Sequence, residues 1–171
     1  TGVAMPTNDW THVALTYDAN TSTNQVQFYT NGVLAYVGQA TGPIGDADTG
    51  RNELRIATRQ AGGSFWVGMM DEVRVWNVAR GDSEIQSNFQ RRLAGTQPGL
   101  VAYFKFDEGM GSTATDSGPN GLVGTLTGGA TFVVSGAVIR DPMVTTLPAT
   151  PVLATTATLR GTVNPSGAAT S

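Results

Sequence analysis

The stretch "GMMDEVRVWNVARGDSEIQSNF", Gly68 to Phe89, decides the reading of this chain. It opens with the alternation of a buried strand, turns at Asn77 to Arg80, and continues with the spacing of a short amphipathic helix. Asp82 or Ser83 can serve as N-cap, accepting bonds from the orphan N–H groups of the first turn. Glu84 places negative charge at the positive end of the helix dipole. Ile85, Phe89 and Leu93 recur at i, i+4 and i+8, giving one apolar stripe and a helix over about Ser83 to Leu93. Arg91 and Arg92 then fall in its last turn, with Gly95 or Pro98 as the stop. Asp71 and Glu72 stand together at the head of the strand, so their role bears on function.

Outside that stripe the apolar pattern has period two. "WTHVALTYD" (Trp10 to Asp18) sets Trp10, His12, Ala14 and Thr16 against Thr11, Val13, Leu15 and Tyr17, and the second face is the more apolar. "QVQFYTNG" alternates in the same way and closes on Asn31-Gly32, a hairpin signal because both residues tolerate positive φ. "VLAYVG" returns as the next strand. "ELRIATR", a long "FWVGMMDEVRVWN" kinked at Gly68, "GLVAYFKFDEG" and one or two short strands in "LVGTLTGGATFVV" follow. With turn signals between them, these read as an antiparallel β-sandwich.

Composition sets the outer limits. The chain has 171 residues, 22 of them glycine, and only 13% carry charge, which suits a sheet protein with many turns. The net charge is −3, and no basic patch is dense enough to point to nucleic acid. Cysteine is absent, which removes disulfides, thiolate metal sites and a cysteine nucleophile. No apolar run approaches the roughly 20 residues of a membrane span. The chain opens at Thr1 without a signal peptide, as a fragment or processed segment would.

"WTHVALTYD", "QFYTNGVL", "ELRIATR" with "GGSFWVGMMDEVRVWNVARGDSEIQSNF", and "LAGTQPGLVAYFKFDEGMGSTATDSGPNGLVGTLTGGATF" together resemble the later part of a concanavalin A-like lectin/glucanase domain of the laminin-G-like or pentraxin-like kind. The resemblance covers about Trp10 to Phe132. It implies an all-β, antiparallel jelly-roll sandwich with one short helix. Such domains begin with further strands before the "WTHV" segment, so residues 1–140 are expected to hold only part of the jelly roll. Residues 141–171 are rich in Thr, Ala and Pro. With "TATLRGTVNP" they resemble a linker and the first strands of an immunoglobulin-like or fibronectin-III-like module of bacterial exported proteins.

The resemblance raises two site questions. A glycosidase needs two carboxylates across a bound sugar, but neighbours on a strand point to opposite faces, so Asp71 and Glu72 cannot form that pair. The E-x-D-x-x-E pattern of glucanases of this fold does not occur, and the expectation is a non-catalytic chain. His12, the single histidine, excludes a multi-histidine zinc site within the chain, and reads as a hydrogen-bonded strand residue inside the sandwich. In glucanase relatives an acid before such a strand contributes to structural calcium, which nominates Asp71 as an oxygen ligand. Calcium takes roughly six to eight oxygens. Asp46 and Asp48 in one loop, and Asp107, Asp116 and Asn120 in another, could supply them, or serve as plain Asx-turns. Glu72 reads as a surface or hydrogen-bonding residue.

Aromatic faces match the apolar faces of pyranose rings. Trp10 and Trp76 sit inside strand motifs and suit core packing. Trp66 and Tyr36 lie near loops and are the candidates for ligand binding. Two functions remain open. One is an adhesion or glycan-recognition segment of a large extracellular or cell-surface protein, with a glycan or surface protein as partner. The other is a structural subunit of an extracellular fibre or surface layer, joined to other copies by strand exchange.

Overall fold

The structure, a computed structural model, describes residues 3, 5–40, 42, 53–59, 63–94, 96–141, 143–147 and 160–164. Three strands form the first sheet: β1 (Val13–Tyr17), β2 (Val26–Thr30) and β3 (Val33–Gly38), antiparallel in the order β1-β2-β3. The turn between β2 and β3 is the one the sequence announces: Asn31 and Gly32 take φ of 48° and 77°, as a type I′ hairpin requires. The Asn31 side chain also accepts the backbone N–H of His12 at 3.0 Å, tying the turn to the start of β1.

Strand β4 (Val73–Trp76) is followed by helix α1 (Asp82–Asn88) and by β5 (Leu100–Phe104), which returns antiparallel to β4. Strands β6 (Thr113–Thr115) and β7 (Val123–Thr125) make a short hairpin, and β8 (Met143–Leu147) pairs with β9 (Arg160–Asn164). All four sheets are antiparallel, with one helix among the described residues, so the all-β class holds.

The core lies around β5. Leu93, Leu100 and Tyr103 are buried together with Trp76 against them. Ala102, Phe104 and Ala114 are buried in a second cluster, packed by Ile56, Val75, Phe106, Leu126 and Phe132. Gly124 of β7 lies over Ala114 and the Phe104 ring, where a Cβ would make ordinary van der Waals contact at 3.5 and 3.7 Å.

Several local expectations change in the fold. The helix ends at Asn88 rather than at Leu93. Beyond it the backbone is claimed by a distant segment: Arg140 donates to the carbonyl of Gln90 at 2.9 Å and Arg92 donates to that of Arg140 at 3.0 Å. Arg91 and Arg92 are therefore outside the last turn. The N-cap is Gly81, not Asp82 or Ser83. Its N–H donates to the Glu84 carboxylate at 2.9 Å, while Asp82 accepts the Tyr29 hydroxyl at 2.5 Å.

Residues 53–59 form no strand, and 65–72 do not extend β4. Ala57 (φ 69°), Gly68 (φ 153°) and Glu72 (φ 55°) break the extended backbone at those places. The second half of "LVGTLTGGATFVV" is likewise outside any strand.

Strand β1 reverses the expected burial. Thr16 is buried and Leu15 is 68% exposed. The cross-strand rows Val13–Thr30–Val33 and Leu15–Phe28–Tyr36 carry Val13, Leu15, Val33 and Tyr36 as exposed side chains. The opposite face holds fully buried Tyr29, bonded to the helix through Asp82. Helix α1 packs near β3, where Phe89 stands so close to Gly32 that a Cβ would meet its ring at 2.7 Å. The polar side of β1 is thus the covered one because the helix segment lies over it.

Candidate functional site

The two acids just before β4 separate to different partners, with Glu72 at a left-handed φ of 55° rather than in extended backbone. Asp71 accepts a hydrogen bond from the Ser135 hydroxyl. Glu72, whose side chain is 7% exposed, pairs with Arg74 at 2.9 Å and contacts Arg92 at 3.5 Å. It also accepts the hydroxyl of the fully buried Tyr103. Burial, and then the bond to Glu72, raise the Tyr103 phenol well above its ordinary range. Burial opposes the charge of Arg92, but Asp107, Glu72 and Asp141 outweigh it and raise the guanidinium. Arg74 donates as well to the carbonyls of Asn88 and Arg91. The cluster therefore clamps β4, β5 and the end of the helix together. Glu72 is a buried structural carboxylate, and alternation did not reveal that, because Glu72 sits at φ 55° just before the strand begins.

The loop acids are also engaged. Asp107 pairs with Arg92 at 2.9 Å. Asp116 is 6% exposed and accepts the backbone N–H groups of Tyr103 (2.8 Å), Gly118 (2.6 Å) and Leu122 (3.1 Å). Burial pushes its carboxyl up, but the three N–H donors outweigh burial and hold it below the ordinary range. Asn120 donates its amide to the Val101 carbonyl at 2.8 Å. Among the described residues no three His, Asp or Glu side chains gather into a group able to hold a metal ion. Asp71, Asp107 and Asp116 each engage a different partner, and Asp46 and Asp48 lie outside the described residues. The calcium expectation rests on the resemblance alone.

His12 packs its ring edge-on against Phe89, with centroids 5.9 Å apart. Its Nδ1 is buried without a hydrogen-bond partner. Burial, reinforced by the positive charge of Arg74, lowers its pKa from 6.5 to about 4.

The two nominated aromatic side chains are open to solvent, as are Phe65 and Trp10, the latter against the core packing expected of it. Tyr36 on β3 and Trp66 in the segment before β4 are each 48% exposed. The loop that carries Trp66 is held by its backbone N–H, which donates to the Ala57 carbonyl at 2.8 Å. Each ring lies over a glycine two residues on. A Cβ on Gly68 would stand 3.0 Å from the indole Nε1, and one on Gly38 would stand 2.8 Å from the Tyr36 ring. Phe65 and Val67 flank Trp66 and are also exposed. Trp76, by contrast, packs against the core and carries the Arg80 guanidinium 4.3 Å over its ring. Trp66 and Tyr36 sit on different elements, and each offers a flat apolar face with a polar edge, suited to ring-shaped polar ligands.

Comparison with known proteins agrees with this architecture. The family model Laminin_G_3, of the concanavalin A-like lectin/glucanases superfamily, matches residues 1–86, half of the chain. A crystal structure described as a "putative carbohydrate binding protein from Bacteroides ovatus ATCC 8483" is similar over 78% of this chain, at 30% identity and a TM-score of 0.53. This chain spans 40% of that protein's length. No curated protein matches it. Among the described residues no helix is long and apolar enough to cross a membrane.

Proposed function

We propose that this chain, which belongs to the concanavalin A-like lectin/glucanase superfamily, is a non-catalytic glycan-recognition segment of a larger extracellular or cell-surface protein. The observation that carries the proposal is the likeness, across 78% of the chain, to a structure described as carbohydrate binding. The site supports it in two ways. Trp66 and Tyr36 offer exposed rings that lie over Gly68 and Gly38. The acids at the head of β4 and in the β5–β6 region are engaged with Ser135, Arg74, Tyr103, Arg92 and backbone amides, rather than paired across a cleft as glycoside hydrolysis requires. On this reading residues 141–171 begin an immunoglobulin-like module, with the β8–β9 pair as its first strands.

The test is binding of the purified chain to a panel of neutral and acidic polysaccharides, with Trp66→Ala and Tyr36→Ala beside it. Retention by at least one glycan class, weakened by Trp66→Ala, is the expected result. No retention by any glycan would sink the reading.

The exposed apolar face of Val13, Leu15, Val33 and Tyr36 favours a second reading, in which the chain is a structural subunit. Apolar sheet faces stack about 10 Å apart with interdigitated side chains, and a second copy offers an identical apolar face. Under this reading sedimentation shows concentration-dependent dimers or fibres, abolished by Leu15→Asp. A monomer at all concentrations leaves glycan recognition alone.

A further inference from the structure

Arg91 and Arg140 are partners in an isolated parallel β-bridge. Residues directly opposite on adjacent strands present their side chains to the same face, and the strands lie about 4.8 Å apart. The neighbouring positions, Arg92 and Asp141, turn the other way and meet at 3.6 Å. That second pair joins the Glu72 cluster through Arg92. The result is an asymmetric strip, with cation and anion matched on one face and two cations side by side on the other. Neither Arg91 nor Arg140 forms an ion pair with a described residue.

Both arginines line a cleft of about 190 Å³, whose walls are Gln86, Ser87, Phe89 and Gln90 from the helix and its end. The cleft is smaller than the roughly 300–1,000 Å³ that encloses a whole small ligand. It has room for one substituent of a larger molecule. Two guanidinium groups offer forked N–H donors that match planar or tetrahedral oxyanions. Two glutamine amides add neutral donors and acceptors, and Phe89 supplies an apolar wall. Like charges placed opposite one another on adjacent strands repel, and a bound anion relieves that repulsion.

We propose that this cleft binds the oxyanion substituent of an acidic glycan, either the carboxylate of a uronic acid or a sulfate ester. The proposal rests on the glycan reading and narrows it to a substrate class. It also adds a site remote in sequence from Trp66 and Tyr36.

The experiment compares three probes at about 150 mM salt: polygalacturonate, dextran sulfate and unmodified dextran. Each is titrated into the wild-type chain, the double variant Arg91→Gln/Arg140→Gln and the single variant Trp66→Ala. The arginine side chains leave the cleft without breaking the bridge, which is made by the backbone, so the double variant keeps its melting temperature. The expected result is at least tenfold tighter binding of an acidic probe than of dextran, with that preference lost in the double variant. Preference for polygalacturonate alone assigns the carboxylate, and preference for dextran sulfate alone assigns the sulfate ester.

Equal binding of acidic and neutral probes, or an unchanged preference in the double variant, overturns the cleft proposal while leaving glycan recognition standing. Failure of every probe removes the glycan part of both. In that case one further measurement decides the cleft: sodium sulfate must raise the melting temperature of the wild type more than that of the double variant, at matched ionic strength, or the anion site is absent.

Discussion

One carboxylate oxygen of Asp116 accepts the backbone N–H of Tyr103 at 2.8 Å, and the same oxygen accepts that of Gly118 at 2.6 Å. The other oxygen accepts Leu122 at 3.1 Å. A single buried side chain thereby joins β5 to the loop that leads into β7. Removing it strands three amide donors, each costing about 1–3 kcal/mol when buried without a partner. Asp116→Ala is expected to lose about 3 kcal/mol or more of stability in urea unfolding, and Asp116→Asn less, since it keeps an acceptor. A loss under about 1 kcal/mol for the alanine variant would mean that water replaces the carboxylate.

The same carboxyl gives a pH signature. Its folded pKa is lowered by the amide donors. A depressed folded value means that the stability is fully present above the unfolded value, near 3.9, and drains away as pH falls through the folded value. The melting temperature of the wild type should therefore drop steeply below about pH 4, and that of Asp116→Asn should drop less.

His12 acts at higher pH. Its folded pKa of about 4 lies below the ordinary 6.5. The unfolded chain thus takes up a proton first, and stability is lost progressively from about pH 6.5 down to about pH 4. At about 1.4 kcal/mol per pKa unit, the ceiling on this loss is about 3 kcal/mol. His12→Gln should flatten the fall in melting temperature between pH 6.5 and 4.5. An equally steep fall in the variant would place the titration elsewhere.

Glu72 is the keystone of the β4–β5 clamp, through Arg74 and the Tyr103 hydroxyl. Deleting one partner of a buried ion pair costs about 3–5 kcal/mol, because the other charge is left uncompensated. Glu72→Ala is expected to unfold near that cost in urea. The double variant Glu72→Leu/Arg74→Met should recover much of the loss, as apolar replacement of a whole pair commonly does. No recovery would show that Arg74 is needed mainly for the carbonyls of Asn88 and Arg91, to which it also donates.

Gly68 sets the posture of Trp66. Its φ of 153° is one that side-chain-bearing residues rarely adopt, and a Cβ would press on the indole nitrogen at 3.0 Å. Gly68→Ala should shift the Trp66 contribution to the fluorescence, isolated by subtracting the spectrum of Trp66→Phe. It should weaken glycan binding by about tenfold, or 1.4 kcal/mol, at a stability cost of about 1–3 kcal/mol. Unaltered binding would mean that the indole swings free or plays no part in recognition.

What the sequence determined by itself was local. The Asn31-Gly32 hairpin follows from two residues that accept positive φ. Alternation found β1, β2, β3, β5 and the core of β4, the spacing of Ile85 and Phe89 found the helix, and the family resemblance rested on those same strands. Strand alternation predicts that Asp71 and Glu72 do not act as a pair, but they separate for another reason: both precede β4, and Glu72 has a positive φ. Tertiary structure decided whatever depends on a partner far along the chain. The helix stops at Asn88 because Arg140 and its neighbours take over the backbone bonds of Gln90 and Arg92. Glu72 is buried because Tyr103 and Arg74 converge on it, and Asp116 is an anchor because three distant or looped amides point at it. The pairing of Arg91 with Arg140 has the same origin. Backbone preference is encoded within a few residues, whereas burial and charge pairing belong to contacts between segments whose register only the fold supplies.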